Sequence, residues 1–300
     1  MRFRWPLVLC LLASASAQQY TISTVAGIGR MQFAGAGQPA VKARVIEPWG
    51  VAADASGNVY FSDQYYLQVF RIDPNGIVTV YAGSGQSGSG GDSGPATAAQ
   101  FRVPGFLATD PGGDLYIADS GNGNVRKVTP DGTITTVATG GGDGVAVDSK
   151  GNLYVSGGNA IHIVRPDGTN SVIAGTGKPG YTGDKGQAVN ALLSAPRGLR
   201  VDASGNIFVA EWANNVIREI NAQGVITTFA GNGKSGSGGN GGLATAANLR
   251  QPSDVLLDGN GNLYIADTFQ VRIVDKTGKI NLFAGGAYPR PTASSPIWPT

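Results

Sequence analysis

The chain has 300 residues, with 22 lysines and arginines against 20 aspartates and glutamates, 47 glycines, one histidine and one cysteine. Glycine at about twice its usual share demands either many tight turns or disorder. A chain this close to neutrality lacks the positive field that a phosphate backbone selects, which argues against nucleic acid as a partner.

The N-terminus reads MRFRWPLVLCLLASASAQQ: two arginines, an apolar stretch from Trp5 to Ala13, then Ala15-Ser16-Ala17 in the small-x-small pattern of a signal-peptidase site. Residues 1–17 are therefore expected to be an export signal cut after Ala17, giving a secreted or periplasmic protein. The apolar stretch falls short of the roughly 20 residues a membrane span needs, so no span is expected. Leu9 stands where a lipoprotein signal would place a small residue before Cys10. Cleavage removes Cys10, the sole cysteine, and with it any disulfide, thiol nucleophile or thiolate metal ligand. It also removes Arg2 and Arg4, leaving 20 basic against 20 acidic residues.

The segment TISTVAG from Thr21 reads as a lone outer strand. Beyond it five stretches line up: VAADASGNVYFSD from Val51, LATDPGGDLYIAD from Leu107, VAVDSKGNLYVSG from Val145, LRVDASGNIFVAE from Leu199 and VLLDGNGNLYIAD from Val255. Each is two alternating apolar runs around a D-x-x-G-[N/D] turn, and the turn aspartates Asp54, Asp110, Asp148, Asp202 and Asp258 follow one another at 56, 38, 54 and 56 residues. Gly57, Gly113, Gly151, Gly205 and Gly261 supply the positive φ such a hairpin needs, and the aspartates bond their own downstream amides, a structural role. A second turn follows each pair of runs (DPNG, TPDG, RPDG, NAQG, DKTG), with a further short strand on either side. Four antiparallel strands in about 40 residues is the size of one propeller blade.

The chain therefore predicts an all-β propeller over residues 19–286, with five repeats at about 48–101, 104–141, 142–193, 196–249 and 252–286, followed by a Pro-rich tail, 287–300. With the lone N-terminal strand, the count allows either five blades with a spare strand or an incomplete ring of six.

Glycine-rich runs separate the repeats. Residues 26–48, 82–104, 174–196 and 230–252 align without a gap, a constancy that a flexible linker has no reason to keep. They are expected to be ordered, their alanine-rich latter parts forming a turn or two of helix with Pro39 or Pro95 near N1. GSGQSG, GTGKPG and GNGKSG fit a phosphate-loop pattern, yet each lies between β units and none opens a long helix. The Gly233-Lys-Ser235 tripeptide has Thr228 where a Walker loop needs glycine. No cofactor is expected.

The segments Asp119-Ser-Gly-Asn122-Gly-Asn-Val-Arg126-Lys, Glu211-Trp-Ala-Asn214-Asn-Val-Ile-Arg218-Glu and Asp267-Thr-Phe-Gln-Val-Arg272, each preceded by a G-N-[LI]-[YF]-type strand, resemble the NHL repeat. The resemblance runs from Thr21 to Gly286. It implies a five- or six-bladed propeller of a kind that mostly binds other molecules, proteins especially, with some members binding RNA or acting as enzymes. The third repeat departs from the pattern, with Gly157 for the acid and His162 for the arginine. The first has Phe70 in the arginine column, and repeats three and five shorten the acid-to-arginine segment by two residues.

In such a blade the two tight turns share one end, so the second connection and the inter-blade runs lie at the other, where function is expected. The ligand-binding candidates are Trp49, Phe106, Asp143, Arg197 and Asp254 at the starts of the innermost strands, with Tyr65, Tyr66, Trp212, Asn214 and Phe269 in the links between second and third strands. Aromatic residues there suit a protein or glycan partner. The column Asp63, Asp119, Glu211 and Asp267 invites a metal or acid–base hypothesis, but once per blade at the same point it reads as capping of loop amides. Arg126, Arg218 and Arg272 read as links between blades, and His162, the sole histidine, as structural. No catalytic residue and no metal ligand is assigned. The expectation is an exported, non-catalytic binding or scaffold propeller. The alternatives are a calcium-dependent lactonase- or hydrolase-like enzyme, for which only Asp143 and Asp254 are available in the channel, and a fragment or strand-sharing protomer of a longer NHL-repeat assembly.

Overall fold

The computed structural model describes residues 37–286; the signal, the strand from Thr21 and the tail 287–300 lie outside the described residues. Five antiparallel sheets follow one another along the chain. Blade 1 is Pro48–Ala53, Val59–Asp63, Gln68–Ile72 and Ile77–Ala82, and blade 2 is Pro104–Thr109, Leu115–Asp119, Asn124–Val128 and Thr133–Thr139. Blade 3 is Gly144–Val147, Leu153–Gly157, Ala160–Val164 and Asn170–Ala174. Blade 4 is Pro196–Val201, Ile207–Glu211, Val216–Ile220 and Ile226–Ala230, and blade 5 is Pro252–Leu257, Leu263–Asp267, Gln270–Val274 and Ile280–Gly285. The structure is thus an all-β, five-bladed propeller of four-stranded sheets.

The hairpin turns form as their chemistry dictates. Asp54 Oδ1 accepts from the Ser56 and Asn58 amides, while Oδ2 accepts from the Asn58 side chain and the Tyr60 hydroxyl, and Gly57 sits at φ +83°. The same bonds recur at Asp148 and Asp258. Burial works against ionisation of these carboxyls, yet their donors hold all three below the ordinary value.

Sheets of this kind bury both faces only by stacking around an axis. Apolar side chains of blade 4 (Phe208, Ala210, Ile217, Ala230) pack on Leu249 of the intervening run and on those of blade 5 (Leu263, Ile265, Val274, Ile280), and equivalent clusters join blades 1 to 2, 2 to 3 and 3 to 4. Each valine, leucine, isoleucine or phenylalanine among them contributes roughly 1.5–3 kcal/mol on full burial. Among the described residues, none of these clusters joins blade 5 to blade 1. The far face of blade 1 forms a cluster of its own with Ala40 and Ala43. On blade 5, Ala266 and Val271 are partly exposed, although Ala210 and Ile217 at the equivalent points of blade 4 are fully buried.

The glycine-rich runs are ordered by three devices. Each described run contains one 3-10 turn (Ala40–Lys42, Ala96–Ala98, Ala188–Asn190, Ala244–Ala246). Pro39 and Pro95 stand at the N-cap rather than at N1, because the dipeptide ending in each pairs as an extended strand with the outer strand of the next blade. Close glycine–alanine contacts set the spacing: a Cβ on Gly91, at φ +99°, would lie 2.6 Å from Ala99 Cα. Finally, in the runs before blades 2, 4 and 5 a buried arginine holds the run's carbonyls. Arg126 donates to Gln100 O and Gly90 O and pairs with Asp92 at 2.8 Å. Arg218 donates to Thr182 O and pairs with Asp184 at 2.6 Å, and Arg272 donates to Asn248 O and Gly238 O. The expected link between blades is therefore made through the intervening run. Blade 3 follows a link too short to need one, which accounts for His162 in the arginine column.

The unpacked junction makes a comparison possible between valines at the same point of two blades. Val125→Ala, in the sealed junction of blades 2 and 3, is expected to cost about 2–3 kcal/mol in urea unfolding, whereas Val271→Ala is expected to cost about 1 kcal/mol or less. Equal losses would mean that the last junction is sealed in solution.

Candidate functional site

The column of acids ends the second strand of four blades, and its task is to fix the backbone just ahead of the channel mouth. Asp63 Oδ2 accepts from the Ile46 and Glu47 amides at 2.8 and 3.2 Å, and Oδ1 accepts from Tyr65 and Tyr66. Asp119 Oδ1 accepts from Arg102 and Val103, Glu211 Oε2 accepts from Ser194, and Asp267 Oδ1 accepts from Arg250. All four are buried. Burial pushes Glu211 up to about 7, against the Arg218 charge at 3.2 Å and its other donors, and Asp267 up to about 6, against the Arg250 amide and Arg272. Blade 3 has no room for an acid: a Cβ on Gly157 would lie 2.8 Å from Gly141 Cα.

The backbone so anchored carries the mouth residues into one cluster. Trp49 lies over Gly105, its Cδ1 3.7 Å from where a Cβ would stand, and meets Phe106 edge to face at 6.2 Å. Arg197, from blade 4, reaches across the channel: its guanidinium carbon is 5.8 Å from the centre of the Trp49 ring and 4.5 Å from that of Trp212. Blades 1 and 4 are not neighbours in chain order, so this stack bridges the axis. Asp143 lies within electrostatic reach of Arg197. Although Asp143 is exposed, the surrounding protein raises its carboxyl above the ordinary value, with Arg197 opposing, and burial lowers the Arg197 guanidinium from its own.

Five of the ten sequence-predicted residues therefore meet at the mouth: Trp49, Phe106, Asp143, Arg197 and Trp212. Asp254 sits elsewhere, on the wall of a cavity of about 410 Å³ in the channel, where its Oδ2 is 3.5 Å from the Arg200 guanidinium. None of the five mouth residues lines that cavity, which runs sideways between blade 1 (Val51, Val59) and blade 5 (Tyr264, Ala266, Val271). Tyr65 is 51% exposed on the blade 1 link, and Tyr66 packs on Phe70 at 6.0 Å in that blade's own apolar cluster. The Asn214 amide donates to Gly180 O at 2.8 Å and to Glu211, an internal tie. Phe269 is 39% exposed on blade 5. Sequence reasoning missed Arg200; its signal was a charge in an inner-strand column that otherwise reads Ala52, Ala108, Ala146 and Leu256. Among the described residues, no three His, Cys, Asp or Glu side chains group as a metal-binding set, and no helix is long and apolar enough to cross a membrane.

Residues 101–128 match the NHL repeat family and residues 166–238 the Teneurin NHL domain. Teneurin-3 of Mus musculus is 26% identical over 255 residues, which is 81% of this chain and 8% of the relative; the chain thus spans less than a tenth of the length of that relative. Among solved structures, a gluconolactonase of Xanthomonas campestris superposes with a TM-score of 0.57 at 16% identity, covering 80% of this chain and 76% of the other. A chain of a nidogen/laminin complex superposes with a TM-score of 0.55 at 20% identity, covering 78% and 82%. At these identities the likeness is one of fold.

The raised carboxyl of Asp267 has a consequence for stability. In the folded chain it holds its proton up to about pH 6, against an ordinary 3.8, so between those values the folded state binds more protons than the unfolded one. Its contribution is present in full below about pH 4 and is lost as pH rises through 6, on the order of 3 kcal/mol. Asp267→Asn is expected to flatten that fall, measured by urea unfolding at pH 4.5 and pH 7; an unchanged slope would assign the pH dependence to other groups.

Proposed function

We propose that this NHL-repeat β-propeller is an exported, non-catalytic recognition module that takes a protein or glycan ligand on the face carrying the inter-blade loops. The observation that carries the reading is the convergence of Trp49, Phe106, Asp143, Arg197 and Trp212, contributed by blades 1, 2 and 4 and by the link into blade 3, on one patch at the channel mouth. Indole rings bring large contact area with few rotatable bonds, and tryptophan and arginine are both enriched at binding hot spots. Occurrence of the same fold in a nidogen/laminin complex supports the reading by analogy of scaffold.

A second reading, a calcium-dependent lactonase- or hydrolase-like enzyme, is supported by the fold likeness to a gluconolactonase and by two carboxyls raised by burial in the channel region, Asp143 and Asp254. Raised carboxyls in a cleft are what acid–base chemistry uses. A third, a protomer or portion of a longer NHL-repeat assembly, is supported by the unpacked junction of blades 5 and 1 and by the short share of the teneurin relative that the chain spans.

Pull-down and glycan-array screening followed by calorimetric titration separates the first two. Trp49→Ala and Trp212→Ala are each expected to weaken the bound ligand about tenfold or more while leaving the unfolding midpoint of the protein within about 1 kcal/mol. Hydrolysis of a lactone that requires added calcium and disappears in Asp143→Ala would replace the recognition reading with the enzymatic one. A solution mass above that of one chain would favour the third.

A further inference from the structure

Resting on the recognition reading above and naming its ligand class, we infer that the mouth cluster is a receptor for a carboxylate-bearing saccharide, a hexuronate unit, with Arg197 holding the carboxylate. The warrant is the state of the Arg197 guanidinium. Arg126, Arg218 and Arg272 commit their terminal nitrogens to backbone carbonyls of the glycine-rich runs, and Arg200 commits its own to Leu199 O and Asp254. Arg197 is held instead by ring contacts, 4.5 Å from the centre of Trp212 and 5.8 Å from that of Trp49. A ring face attracts the cation but leaves the in-plane N–H groups without acceptors, and among the described residues none of those five donors has a hydrogen-bond partner. The result is a planar fork, aimed by its neighbours and lacking the planar, bidentate acceptor that such a fork fits best, a carboxylate.

Asp143 decides what else the ligand must carry. It is near enough to oppose the desolvation of Arg197 electrostatically, yet the two are not within ion-pair distance. A ligand at this mouth meets a fork of donors at Arg197 and an acceptor-only carboxylate nearby at Asp143. It therefore needs an anionic group together with hydroxyl donors, and a dianion such as a phosphate monoester would be repelled by Asp143. Trp49, 41% exposed, leaves part of its indole surface open at the mouth beside Arg197, apolar surface of the kind on which the C–H face of a pyranose ring rests. A hexuronate has all three features on one ring. The side chain of an acidic peptide has the carboxylate but neither the hydroxyls nor the ring.

The test uses the mature chain, with tetragalacturonate and a glucuronate-containing hyaluronan tetrasaccharide as probes. Their methyl esters and a tetraglutamate peptide serve as comparators, and binding is read by tryptophan fluorescence and calorimetry. At least one of the two uronate probes is expected to bind, with its methyl ester and tetraglutamate weaker by about tenfold or more. Arg197→Ala should abolish that preference, Arg197→Lys should weaken the acid form about tenfold by replacing a fork with a point charge, and Asp143→Asn should weaken the acid saccharide while improving tetraglutamate. Unchanged urea midpoints would confirm that these variants fold. Equal affinity for acid and ester, unaltered binding by Arg197→Ala, or no binding of either uronate probe would overturn the assignment. Tetraglutamate binding that is lost in Trp49→Ala and Trp212→Ala would overturn it too, while leaving the recognition module itself standing.

Discussion

A sheet of four short strands has two apolar faces and cannot hide either alone; stacking each sheet between two others is the constraint from which this molecule follows. It explains why the second strands of blades 1 to 4 are buried at every position, with mixed small and large side chains such as Ala210 and Phe208, and that of blade 5 at all but Ala266. It also explains the close approach of inner strands at Gly50, where a Cβ would lie 2.3 Å from the Gly105 carbonyl oxygen. The same constraint makes the junction of blades 5 and 1 conspicuous. Blade 5 keeps Ala266 and Val271 at the points where blade 4 carries Ala210 and Ile217, but with no apolar cluster of described residues across them the channel cavity extends sideways into the gap.

Polar groups are organised around that stacking rather than against it. An acid at the end of a second strand takes the amides that lead into the inner strand, and an arginine on the third strand takes the carbonyls of the glycine-rich run. Both are buried, and both satisfy backbone groups that the loops could not pair among themselves. Where the run is absent, before blade 3, the acid and the arginine are absent as well, which marks the two columns as scaffold. Arg197 stands apart from this system: it ties no run, and its neighbours are rings instead of carbonyls.

Much of the fold was legible in the chain. Period-two alternation, D-x-x-G turns and the recurrence of one turn aspartate in every repeat fix strands, hairpins and blades, because each depends on residues within a few positions of one another. Equal lengths made the glycine-rich runs readable as ordered, and the once-per-blade recurrence of the acids made their capping role readable too. Trp49, Asp143 and Arg197 could be placed at the mouth because they occupy one column of the repeat. Asn214, read as a ligand-binding candidate, is tied to Gly180 and Glu211, as Asn122 is to Gly88 and Asp119; the acid three residues away is in the repeat pattern, but the carbonyl 34 residues away depends on the path of the run.

What the sequence by itself determined, then, was the repeating unit and the face on which its irregular segments emerge, since hydrogen-bonded turns and alternating strands are local physics. Only the tertiary structure decided that Arg197 crosses the axis to Trp49, that the arginines bind runs instead of neighbouring sheets, and that, among the described residues, no apolar cluster joins blade 5 to blade 1. Those outcomes depend on how each sheet is rotated from the next, which packing sets and which sums around the ring, so they belong to the assembled stack and to no single repeat.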